Sequence, residues 1–87
     1  MPIVLIPSLL RQYTDGEARV PVQGTTLGQA LAELVRLHPP MEGHLVQNDR
    51  VRLDISISID DQLVDRALSH PVRPTSEIAV LPAMTGG

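Results

Sequence analysis

The sequence predicts an α+β domain with one main helix laid across one face of a mixed sheet of four to five strands. Three observations carry this expectation. Short β-prone apolar runs stand at both ends of the chain, one segment near the middle has helical periodicity, and a strictly alternating segment follows it. A length of 87 residues suits one compact domain, which would bury only roughly 60–65% of its unfolded surface and have little room for a deep catalytic cleft.

Residues 3–6, Ile-Val-Leu-Ile, form an apolar run bracketed by Pro2 and Pro7, as at the ends of a strand where an N–H donor is missing. Tyr13-Thr14-Asp15-Gly16 reads as a turn, because Asp and Gly tolerate the backbone angles a turn requires. A second strand is expected from Glu17 to Val22. Pro21 would break a ladder hydrogen bond in a central strand, so this one belongs at an edge. Thr26 and Gln29 have capping-box spacing, and Leu27, Ala30, Leu31, Leu34 and Val35 then recur on one helical face until His38-Pro39-Pro40 ends it. Met41 to Asn48 has no clear period and leaves room for a short helical turn. From Val51 to Ile59, apolar residues alternate with Arg52, Asp54, Ser56 and Ser58, predicting one strand with one buried face. Asp60-Asp61 turns the chain into a brief Gln62–Val64 strand, and residues 70–76 read as a loop. Glu77 to Leu81 forms the last strand, which Pro82 ends. A hairpin, a crossing helix and a final strand returning beside the first make the β-grasp architecture. In it the sheet face and the helix stripe bury each other. The domain is expected to span residues 1–82, with residues 83–87 as a flexible tail.

Composition excludes several functions. Cysteine is absent, which removes disulfides, thiolate chemistry and cysteine-based zinc sites. The formal charge is −3, and the seven cations are scattered arginines with Tyr13 as the single aromatic residue, so nucleic acid is not an expected partner. No apolar run is long enough to span a membrane, and Met1-Pro2 leads into the first strand without a basic leader, so a cytoplasmic protein is expected. With no lysine, no side chain can accept an isopeptide bond from a second copy. His38, His44 and His70 fit no metal-binding spacing, and no metal is expected. Asp60-Asp61 reads as turn chemistry, and the serines lack a nucleophile-elbow context.

The remaining candidate is the tail, Ala83-Met84-Thr85-Gly86-Gly87. A terminal Gly-Gly is by itself common as a frayed end. After a core strand it means more, because glycine lacks a Cβ and can pass through a channel too narrow for side chains. The group it would present is a main-chain carboxylate with a pKa of about 3.3–3.7, a poor electrophile until it is adenylated.

The closing run Ile78-Ala79-Val80-Leu81-Pro82-Ala83-Met84-Thr85-Gly86-Gly87 resembles the last strand and tail of the MoaD/ThiS-type ubiquitin-like sulfur carriers, and the resemblance covers essentially the whole chain. Ile6-Pro7-Ser8-Leu9-Leu10-Arg11, Thr14-Asp15-Gly16 and Gly24-Thr25-Thr26-Leu27-Gly28 are most similar to the branch that serves thiocarboxylate-dependent cysteine synthesis in actinobacteria. The resemblance implies a sulfur carrier and not an enzyme. An E1-like adenylyltransferase would use ATP to activate Gly87, a sulfur donor or sulfurtransferase would convert it to a thiocarboxylate, and an acceptor enzyme would take the sulfur. In the cysteine branch that acceptor is a pyridoxal-phosphate-dependent cysteine synthase; the carrier itself would bind no cofactor. The small subunit of molybdopterin synthase, a thiamin carrier and a thio-natural-product carrier are the alternatives, and a ubiquitin-like protein modifier is the alternative class. Two features depart from the family pattern. No Phe stands in the first strand, where Ile6-Pro7 is found, and Asp60-Asp61 replaces a frequent asparagine-led turn. Ile78 and Val80 are expected inward and Ala79 and Leu81 outward. By analogy with the fold, Val4 and Ile6 are assigned to the outward face. With Leu81, Pro82, Ala83, Met84 and Thr85 they would form the partner-binding patch around the Gly86-Gly87 site.

Overall fold

A computed structural model describes residues 1–82. Strands β1 (Ile3–Leu5), β2 (Arg19–Pro21), β5 (Ile55–Ile59), β6 (Gln62–Val64) and β7 (Glu77–Pro82) build one five-stranded sheet in the order β2-β1-β7-β5-β6. Strands β3 (Val46–Gln47) and β4 (Arg50–Val51) form a separate two-stranded hairpin. The chain's first and last strands lie side by side and parallel, and every other pairing in the large sheet is antiparallel. Pro21 lies on edge strand β2, where its missing N–H breaks no ladder.

Helix α1 (Leu27–Leu37) covers one face of this sheet. Its N-terminus is capped as the sequence predicts, with one shift of partner. The Thr26 hydroxyl accepts from the Gln29 N–H at 3.2 Å, but the Gln29 side-chain oxygen reaches Thr25 N–H at 2.8 Å instead of returning to Thr26. Leu27, Ala30, Leu31 and Leu34 are buried against Val4, Val20, Ile57, Ile78 and Val80, so the helix stripe and the inward sheet parity form one core. Val35, the fifth residue of the stripe, is only partly buried at its margin. A 3₁₀ turn over Pro39–Met41 follows the helix and sinks Met41 into the core, which supplies the short helical turn expected in the unpatterned stretch.

Two-residue turns close the β3–β4 and β5–β6 hairpins. Asn48-Asp49 and Asp60-Asp61 all have positive φ between 52° and 70°, the backbone twist that matches paired strands. One expectation needs correction, and one element stands where none was expected. Val51–Ile59 is not one strand: β4 ends at Val51 and β5 begins at Ile55. Arg52 forks onto both carboxylate oxygens of Asp54 at 3.0 and 3.2 Å and also donates to the Gly43 carbonyl at 2.7 Å, so the chain turns there and leaves Leu53 80% exposed. The alternating pattern therefore runs on through a turn. The second difference is a 3₁₀ segment over Ser8–Tyr13 where the sequence shows no helical period.

Candidate functional site

The strand that leads to the tail lies at the centre of the sheet. Strand β7 is flanked by β1 on one side and β5 on the other, and Pro82 at its end stands opposite Ile55. Val80 is buried beside Ile57, while Leu81 faces outward opposite Ser56 and is 43% exposed. The last described residue is thus held by a five-stranded scaffold. The expected site residues Gly86 and Gly87, and the expected partner residues Ala83, Met84 and Thr85, lie outside the described residues.

The patch assigned to Val4 and Ile6 is corrected: both are buried, at 0% and 2% exposure. Register is the physical reason. In the parallel pairing Val4 stands beside Ile78, so the two side chains share a sheet face, and Ile78 points to the helix. Ile3 and Leu5 take the outward face instead, paired with Glu77 and Ala79. That face carries Leu5, Ala79 and Leu81 among Ser56 and Ser58, with Leu63 exposed on the outermost strand and an Arg19–Glu77 ion pair of 3.1 Å on the other side.

At the end of the sheet where β7 stops, topology gathers other segments. Because β1 runs parallel to β7, the chain leaving β1 enters its 3₁₀ segment at this same end, and the antiparallel β5 begins there. A cleft of about 290 Å³ results, lined by Leu9, Leu10, His44, Arg52, Asp54, Ile55 and Pro82. His44 is held by stacking on Tyr13, with ring centroids 4.0 Å apart. Sequence reasoning missed this grouping, because its members are distant along the chain and join only through the sheet.

The carboxylates with displaced proton affinity serve the scaffold. Asp60 is held below the ordinary range chiefly by the Glu77 backbone N–H at 2.9 Å, and then by the Ser76 hydroxyl and Arg73. Asp65 is lowered by the Ala67 backbone N–H and by His70 at 2.7 Å. Neither lines the cleft at Pro82. Among the described residues there is no cluster of three or more His, Asp or Glu side chains that could hold a metal, and no helix is long and apolar enough to cross a membrane.

The ThiS family model matches residues 4–87. The chain belongs to the ThiS family. Solved structures agree with this membership. The crystal structure of the Amycolatopsis orientalis BexX/CysO complex contains a chain that superposes with a TM-score of 0.92 at 27% identity, with 100% of both chains covered. SAMP1 from Haloferax volcanii follows the same fold with a TM-score of 0.77 at 26% identity, over 99% of this chain and 98% of the other. Mycobacterium tuberculosis CysO has a TM-score of 0.87 at 22% identity, over 97% and 100%, a likeness that concerns the fold alone. No curated protein matches significantly in sequence. The ThiS-family chain is accordingly a ubiquitin-like β-grasp protein of the sulfur-carrier type.

Proposed function

We propose that this ThiS-family chain carries sulfur on the C-terminal carboxyl of Gly87 and is a co-substrate of partner enzymes, not a catalyst. The observation that supports this reading most is the central strand β7, which ends at Pro82 with the five residues Ala83-Met84-Thr85-Gly86-Gly87 following it. With no cysteine in the sequence, no side chain offers a rival sulfur-bearing site.

The chemistry balances in four steps. A carboxylate oxygen of Gly87 attacks the α-phosphorus of ATP in an E1-like adenylyltransferase, and pyrophosphate leaves. Sulfide supplied by a donor attacks the acyl carbon, loses its proton, and AMP leaves with the electron pair, which yields the thiocarboxylate. The thiocarboxylate sulfur then attacks an electrophilic carbon of an acceptor, whose leaving group departs with its bonding pair, and hydrolysis of the resulting thioester leaves the sulfur on the acceptor and returns the Gly87 carboxylate. Cysteine synthesis on a pyridoxal-phosphate enzyme handling an activated serine is the favoured destination, and thiamin, molybdopterin or a thio-natural product are the others. ATP is consumed by the partner and the carrier holds no cofactor, which fits action in the cytoplasm. The decisive test is intact mass after incubation with ATP, sulfide and an E1-like enzyme of the same organism. A gain equal to the exchange of one oxygen for sulfur, absent when Gly87 is deleted, is expected. Lack of any gain refutes the reading. The name of the similar archaeal protein, a small archaeal modifier, supports a second reading as a protein modifier. That reading predicts lysine-linked conjugates in lysate that vanish with the same deletion.

A further inference from the structure

We propose that the cleft at the root of the tail is a docking collar, seated against an apolar side chain at the mouth of the enzyme channel that takes the tail. This rests on the reading of Gly87 as the reacting group. Five residues separate Pro82 from the end of the sequence, and a chain spans at most about 3.6 Å per residue, so a reacting centre at Gly87 lies within about 18 Å of Pro82. A protein that encloses so short a tail must bring the rim of its channel down onto whatever surrounds Pro82. What surrounds it is the cleft, whose lining combines apolar Leu9, Leu10, Ile55 and Pro82 with polar His44, Arg52 and Asp54.

Charge decides the chemistry of the rim. Arg52 lines the cleft with three of its five N–H donors committed, two to Asp54 and one to the Gly43 carbonyl. The pair is locally neutral, so the collar offers no net positive charge to draw in an acidic partner. Leu9, by contrast, is 66% exposed at the lip of the cleft, an apolar group without cover in the free protein. An aliphatic or aromatic side chain of the partner, packed on Leu9 and Pro82, would gain from burial what Leu9 now leaves in water. The collar is distinct from the outer sheet face, where Leu63 is 73% exposed on the opposite edge strand from β2.

The test is carrier-dependent ATP–pyrophosphate exchange by the E1-like adenylyltransferase of the same organism, with full-length Leu9→Asp, Leu9→Ala and Leu63→Asp. Thermal melts verify that each variant is folded. Leu9→Asp is expected to raise KM for the carrier about ten- to thirtyfold with kcat nearly unchanged, and Leu9→Ala to raise it by less. Leu63→Asp is expected to stay within about twofold. An unchanged KM for Leu9→Asp overturns the collar, as does an equal loss in Leu63→Asp, which would mean docking across the sheet face. If the unsubstituted carrier supports no exchange, the carboxyl-activation reading fails and the collar fails with it. Exchange by the unsubstituted carrier with an unaffected Leu9→Asp removes the collar alone.

Discussion

Replacing Val4 by Ala tests the face assignment of β1 most directly. Val4 is fully buried in a strand paired on both sides, with Val20 beside it in one neighbour and Ile78 in the other, both facing the helix. The substitution removes two carbons, a transfer term of about 1.6 kcal/mol at roughly 0.8 kcal/mol each. A residual void of roughly 40 Å³ adds about 1 kcal/mol, since the surrounding strands and helix collapse only in part. The total, about 2.5 kcal/mol, is a large share of the roughly 4–13 kcal/mol expected for a domain of this length. It corresponds to a fall in Tm of about 10–20 °C. Leu5→Ala is the matched control, because Leu5 is half-buried on the uncovered face and should cost about 1 kcal/mol or less. Melting followed by circular dichroism suits a chain without tryptophan. If Leu5→Ala melts far below Val4→Ala, the register argument that places Val4 beside Ile78 is wrong.

Other perturbations reach different parts of the scaffold. At Gly24, with φ +146°, an added Cβ would lie 2.8 Å from the Ala30 nitrogen and 3.0 Å from Gln29, so Gly24→Ala should cost about 1–3 kcal/mol in urea unfolding. Asp61→Gly should raise stability by about 0.5 kcal/mol, since glycine takes the positive φ of the second turn position without strain. A Tm shift in the wrong direction would refute that account of the hairpin. The lowered pKa of Asp60 means that its bonds to Glu77, Ser76 and Arg73 contribute above the ordinary carboxylate pKa and are lost as pH falls through the folded value. The gap in urea midpoint between the unsubstituted protein and Asp60→Asn should therefore be widest at neutral pH and narrow as pH falls below the ordinary carboxylate range. A gap that persists in acid would assign the effect to shape instead of charge.

Much of the architecture was legible because its signals are local. The helix from Leu27 to Leu37 declares itself through a cap, a 3.6-residue apolar stripe and a proline stop, each within a few residues of the others. Pro21 marks an edge strand by what it cannot donate. Legibility failed where pattern and pairing came apart. The alternation through Val51-Arg52-Leu53-Asp54-Ile55 carries no sign that Arg52 closes onto Asp54 and bends the chain. The 3₁₀ segment over Ser8–Tyr13 has no period of its own.

The sequence by itself determined the fold class, the order of the main helix and the five strands of the large sheet, the absence of cysteine and lysine, and a glycine-glycine end after a core strand. It could not decide which residues of β1 face water. A strand with apolar side chains at every position has no parity to read, and Ile3-Val4-Leu5-Ile6 looks the same from either side. Only the partner strand breaks that tie, through the register that sets Val4 beside Ile78, 74 positions away. The cleft at Pro82 was hidden for the same reason: Leu9, His44 and Ile55 become neighbours only because β1 and β7 run parallel and end together.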